Sequence, residues 1–313
     1  MKKINKEKQY VISKMNSLLE PINTLLDIYN TENWLHSSSN TEKNAPSFQV
    51  DYSLNNMDLA LQKGDYLSLA HSGGYKCSSC QKVIKKIYSG YCYVCLMKKA
   101  SADMCILNPY QCHFLKGTCR EPEWGLSFCY QPHYVYLAYT DKFKVGITRK
   151  NQILTRWVDQ GATMASPICM VTSRHQAGTI EKALTEILAD KSHWQKMLHA
   201  GNYRPSEEDF LEKHTSVEKW LKELLIKKPE VLVTLPSEAS NLRNDIVIFD
   251  NPAVVKINYP LPENIPKIKS VSLEKEKRID GEVTGIKGQY IFFGERVLNM
   301  RNHEGYIVVL ESY

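Results

Sequence analysis

Apolar and polar positions set the first elements. On either side of Thr140-Asp141-Lys142, β-prone residues alternate from Tyr134 to Ala138 and from Lys144 to Thr148, the pattern of two strands joined in a hairpin. The second strand leaves through Gly146 into a basic turn and a short helical segment carrying Ile153, Trp157 and Val158. A strand from Pro167 to Thr172 comes next, then a helix with apolar residues at Ala177, Ile180, Leu184, Ile187 and Leu188. At a helical period Glu181 falls on the shoulder of that stripe. A carboxylate half turned toward a core is costly unless a cation meets it, and a metal ion or Arg156 would serve.

The flanks read differently. From about residue 8 to 35 the spacing is helical (Val11, Ile12, Met15, Leu18, Leu19, Ile22, Leu25, Leu26, Ile28), with Pro21 as a kink. Ser37 to Pro46 is a polar linker, followed by strand-like runs at Phe48–Leu54 and Asp65–Ala70. Thr215-Ser216-Val217-Glu218 has the form of a capping box for a helix carrying Trp220, Leu221, Leu224 and Leu225 and closed by Lys227-Lys228-Pro229. Beyond Pro236, β-prone runs at 246–249, 254–259, 269–273, 281–286, 290–293 and 306–310 favour a small barrel, which the early strands would join. The expected class is α+β. The expected units are a helical extension and linker (1–45), strands belonging to the carboxy-terminal unit (46–75), a cysteine module (76–132), a mixed core with its helix (133–228) and a β-rich unit (229–313).

Composition narrows this. A chain of 313 residues with 43% hydrophobic content can bury one large core or a few small ones. No apolar run approaches the roughly 20 residues of a membrane span, and the basic start Met1-Lys2-Lys3 leads into no apolar signal core. A cytoplasmic protein is expected. Nine cysteines, an odd number in a long chain, point to metal rather than a disulfide scaffold. Cys77-x2-Cys80-x11-Cys92-x2-Cys95 has zinc-ribbon spacing: each turn presents two thiolates and the intervening hairpin returns the second pair to the same ion. A redox pair is the competing reading. Cys105, Cys112, Cys119 and Cys129 follow at looser intervals and form a candidate second zinc site, with His113 or His133 as substitutes for one thiolate. Cys169, inside a strand, is expected to be a core filler.

Charge adds a partner. The net charge is only +6, but between Lys76 and Arg156 thirteen Lys/Arg face four Asp/Glu. Lys82, Lys85, Lys86, Lys98 and Lys99 surround the ribbon, interleaved with Tyr75, Tyr88, Tyr91 and Tyr93, while Arg149 and Lys150 follow the hairpin. Basic side chains hold phosphates and aromatic faces stack bases, so DNA or RNA is the expected partner. A solvated basic face is the plainer alternative.

Tyr134-Val135-Tyr136-Leu137, Lys144-Val145-Gly146-Ile147-Thr148, Arg156 and Glu181 together resemble the GIY-YIG nuclease core. That resemblance implies a small antiparallel sheet with flanking helices and hydrolysis of phosphodiesters with one divalent cation, Mg2+ or Mn2+. It implies Tyr136 as the residue that helps activate water, with Lys144 beside it, Arg156 as the phosphate contact and Glu181 as the metal ligand. Two departures stand out: Lys144 replaces the second tyrosine, and Gln160 stands where a histidine is usual. They favour the alternatives of a non-cleaving RNA-binding protein of tRNA type or an RNA-modifying one. The cysteine array, Gly-Thr-Cys-Arg-Glu-Pro-Glu-Trp-Gly at 117–125, Thr-Arg-Trp-Val-Asp-Gln-Gly-Ala at 155–162 and Gly-Ile-Lys-Gly-Gln-Tyr at 285–290 also resemble a bacterial and archaeal family of unknown function.

Overall fold

A computed structural model of the chain describes residues 9–21, 47–54, 59–189, 192–229, 246–250 and 253–312. Its central sheet runs in the order Asn16–Pro21, Ser47–Leu54, Val255–Asn258, Met164–Val171, His133–Tyr139, Phe143–Arg149. Neighbours are antiparallel, except that Val255–Asn258 lies parallel to Ser47–Leu54. His133–Tyr139 is covered on both faces, which explains its nearly unbroken apolar composition. Because side chains alternate, Tyr134, Tyr136 and Ala138 enter one core with Ile153 and Trp157. Val135 and Leu137 enter another with Ala177, Ile180 and Leu184 of the Arg174–Leu184 helix and with Phe210 and Leu221.

A second sheet is ordered Gln9–Val11, Tyr306–Ser312, Tyr66–Lys76, Arg278–Glu282. Val83–Ile84 pairs with the end of Tyr66–Lys76, so the first cysteine hairpin grows directly out of this sheet. A third, small sheet is ordered Lys269–Val271, Arg296–Asn299, Tyr290–Phe293, Gly285–Lys287. Lys287 fastens it to the core. Fully buried, its ammonium nitrogen donates to the carbonyls of Met197 (2.9 Å) and Gly201 beside the Tyr259 ring, and burial lowers its pKa to about 7.

Several expectations change. In the stretch read as an amino-terminal helix, the described residues form strands, Gln9–Val11 and Asn16–Pro21; the rest of it, with the 37–46 linker, lies outside the described residues. The apolar residues there serve two sheets: Ile12 and Met15 are buried where the chain crosses between them. Ser47–Leu54 joins the central sheet, while Tyr66–Lys76 pairs with carboxy-terminal strands. The strands assigned to a small barrel therefore divide among three sheets. The helix expected to start at 215 starts at Glu207, where the Ser206 hydroxyl accepts from the Asp209 N–H and three acids occupy the first turn. It ends at Lys227, at the basic stop. No described helix is long and apolar enough to cross a membrane.

Candidate functional site

Cys77, Cys80, Cys92 and Cys95 bring their sulfurs within 4.8 Å of one another. The hairpin does this with local hydrogen bonds: Ser78 donates to Gly90 O from both its backbone N–H (2.8 Å) and its hydroxyl (2.7 Å), and Cys92 N–H points at Cys77 Sγ at 3.3 Å. At Cys77 burial opposes ionisation, but the N–H groups of Cys92, Cys80 and Ser79 outweigh it and lower the thiol to about 6. Burial and the neighbouring thiols raise Cys95 to about 11. Four crowded sulfurs, one of them held ready to ionise, fit a tetrahedral zinc ion.

The second cysteine set is looser. Cys105, Cys112, Cys119 and Cys129 all line one cavity of about 20 Å³, but the tight grouping within 4.8 Å is Asp103, Cys105 and His113. Two of those three are already engaged. Asp103 accepts from Cys105 N–H at 3.0 Å and pairs with Arg120 at 2.7 Å; His113 bonds Thr118 Oγ1 at 2.8 Å and approaches Asp103 at 3.4 Å. Burial raises Cys105 to about 12 and Cys129 to about 11. His133 is set apart from this set: its Nδ1 lies 2.7 Å from Gln131 O and its Nε2 is buried without a partner. Cys169 is fully buried.

The module around this cavity leans on the helix carrying Glu181. A Cβ at Gly178 would fall 2.4 Å from Pro109 Cβ, so only glycine admits this approach. Arg174, mostly buried on the same helix, donates to Ile106 O at 2.6 Å and feels the charges of Cys129, Arg156 and Glu181. Nothing in the local sequence pattern around Arg174 announces the cysteine module packed over it.

Tyr136 is the centre of the third cluster. It has no exposed surface, its ring lies edge-on to Trp157, and its hydroxyl accepts from Gln160 Nε2 at 2.6 Å. Burial raises the phenol's pKa; Arg156, also hydrogen-bonded to it, works the other way, and Glu181 adds to the rise. Gly146 lies opposite in the hairpin, where a Cβ would fall 2.5 Å from the phenol oxygen. Tyr136, Arg156 and Glu181, far apart in sequence, thus come within electrostatic reach of one another, and Gln160 holds the Tyr136 hydroxyl. Lys144, one residue pair along the same face, is 5% exposed and held against Ala189. Glu181 belongs to no grouping of three metal-ligating side chains among the described residues, and Arg174 and the Tyr136–Arg156 pair surround it. A preformed set of ligands for Mg2+ or Mn2+ is therefore not found around Glu181 among the described residues.

Arg156 also faces outward. With Lys14, Gln152, Thr155, Asp159, Arg301 and Glu304 it lines a cleft of about 240 Å³. Asp159 is tied to Lys14 and to Gln289 Nε2 (2.9 Å), and Gln289 in turn bonds both the N–H and the carbonyl of Met15. Lys14 and Arg301 gave no signal in the sequence: the cleft joins segments at the two ends of the chain. Of the ribbon lysines, Lys82, Lys85, Lys86 and Lys98 are exposed, with Lys86 over the Tyr88 ring. Lys99 is half-buried, and its ammonium pairs with Glu121 at 2.6 Å. Lys150 begins the turn before the Ile153–Asp159 helix, its N–H bonded to Pro132 O. Arg149 is half-buried and stacked on Phe128.

Residues 64–308 match the family described as a protein of unknown function, DUF2797, and the chain belongs to that family. No curated protein and no solved structure matches it.

Proposed function

We propose that this is a zinc-stabilised nucleic-acid-binding protein that seats a backbone phosphate in the cleft at Arg156. The observation that carries the reading is the cleft itself: Arg156 and Arg301 converge there beside the Tyr136–Glu181 cluster, and with Lys14 paired to Asp159 and Glu304 on the lining the cleft keeps an excess of one positive charge. Four exposed lysines on the ribbon extend the positive surface and supply affinity without sequence preference. Zinc, held by Cys77, Cys80, Cys92 and Cys95 and, at a second site, by thiolates of Cys105, Cys112, Cys119 and Cys129, is structural: it replaces apolar core in segments too short to bury one.

A second reading, phosphodiester cleavage at the same place, is favoured by the convergence of Tyr136, Arg156 and Glu181 and by a strand order with His133–Tyr139 between Phe143–Arg149 and Met164–Val171. Here Arg156 would stabilise charge developing on the phosphate, Lys144 would add to the field, and Glu181 would orient the guanidiniums. The full burial and raised pKa of Tyr136 count against it as a group that activates water. One experiment separates the two. Binding of labelled RNA and DNA is measured against salt, with cleavage followed in the same tubes. Arg156→Gln is expected to weaken binding and reduce the salt slope by about 1. No salt-dependent binding by the unaltered protein would overturn the proposal. Cleavage that Glu181→Ala abolishes would establish the second reading in place of the non-cleaving one.

A further inference from the structure

Phe128 lies at the end of the Pro122–Cys129 helix with its ring stacked on Trp124, centroids 4.3 Å apart and planes inclined by 17°. The Arg149 guanidinium lies over the same ring at 4.3 Å, and its Nη2 donates to Gln152 Oε1 at 2.7 Å. Three flat groups from two segments are thus stacked into a ladder, and the last is pinned by a side chain that lines the phosphate cleft. All three are partly exposed. Trp124 also lines the cysteine cavity, so the ladder runs from that module to the cleft. Arg149 meets no carboxylate among the described residues, and its guanidinium is oriented by the Phe128 ring and one hydrogen bond. A planar cation oriented in this way suits a ligand with an aromatic plane and negative charge close by. A base in a duplex cannot offer its face to such a ladder; a base in a single strand can.

We infer that the Trp124–Phe128–Arg149 ladder is a stacking site for an unpaired base, next to the cleft that takes its phosphate. This rests on the proposed function and deepens it: the ligand class becomes single-stranded nucleic acid, or the unpaired part of a structured one. Stacking is worth about 1–3 kcal/mol per base, so its loss corresponds to roughly a 5- to 150-fold change in affinity.

The test uses the zinc-loaded full chain, a fluorescein-labelled twelve-nucleotide single strand and the matching duplex. Phe128→Leu keeps the bulk and removes the π face; Arg149→Lys keeps the charge and removes the plane. Both are expected to weaken single-strand binding at least fivefold while changing duplex binding less than twofold. Equal losses on both ligands, or no loss on either, would overturn the stacking site and leave the phosphate cleft standing. Absence of binding to either ligand by the unaltered protein would overturn both readings. Photocrosslinking the unaltered protein to a bromouracil-substituted single strand needs no variant to fold. Crosslinks are expected in the peptide holding Trp124 and Phe128, and crosslinks confined to other peptides would reject the site.

Discussion

His214 shows how one side chain sets a pH response. It is buried in the Glu207–Lys227 helix with its Nε2 2.9 Å from Pro167 O. Burial lowers its pKa below the ordinary imidazole value, outweighing the hydrogen bond and the nearby acids Glu218 and Asp250. The unfolded chain therefore takes up a proton that the folded protein refuses. This contribution to stability is complete above about pH 6.5 and is lost as the pH falls through that value toward the lowered one. His71 and His303 shift in the same direction. The urea midpoint is expected to drop between pH 7 and pH 5, and His214→Phe to make that drop shallower; an unchanged slope would show that His214 charges equally in both states. The sequence marks Tyr136, Arg156 and Glu181 through their resemblance to the positions of a nuclease motif. It did not reveal the depth of Tyr136, because strand alternation says which side a ring takes and not what covers it.

At the scale of elements, the first cysteine hairpin is a unit with its own cohesion. Many of its hydrogen bonds are local, and it joins the rest through the pairing of Val83–Ile84 with Tyr75 and Lys76, the Ser78–Glu304 bond and the Arg120 bonds to the carbonyls of Leu96 and Lys99. Cys80→Ser is expected to release one equivalent of zinc by elemental analysis and to abolish hydrogen-exchange protection from 77 to 99. The His133–Tyr139 and Met164–Val171 strands should remain protected; loss there too would mean that the ribbon supports the central sheet. This element was legible because ligand spacing is a geometric requirement of the ion. The described part of the stretch expected to be helical, residues 9–21, was not. Ile12 and Met15 are buried at a crossing between two sheets, and a strand–turn–strand path produced an apolar spacing that imitates a helix. At 215–218 a capping-box pattern inside a helix was read as its start, while the real start at Ser206 is marked by a run of acids.

Over the whole molecule, the cleft at Arg156 depends on contacts that span the chain. Gln289 bonds Met15 across 274 positions and also holds Asp159, which pairs with Lys14. Gln289→Ala is expected to cost about 1–3 kcal/mol in urea unfolding, because buried polar groups lose their partners. It should also weaken nucleic-acid binding without changing its salt slope, since no charge is removed. A reduced slope would mean that Lys14 had left the cleft. No local pattern could have predicted this site, whose basic residues come from three separated segments. The Gly-Ile-Lys-Gly-Gln-Tyr stretch, by contrast, now has a physical reading: Lys287 and Gln289 are two of the buried polar ties between the carboxy-terminal strands and the core.

The placing of the cysteine hairpin on a sheet closed by a distant strand has a consequence for biosynthesis. Ser72, just before the first metal ligands, bonds Ile307, 235 positions later. At roughly 5–20 residues per second, the thiols leave the ribosome on the order of ten seconds or more before that strand exists. Early capture of an ion by the nascent hairpin would shield those sulfurs from oxidation during the wait, making metal supply at translation a determinant of how much intact protein a cell obtains.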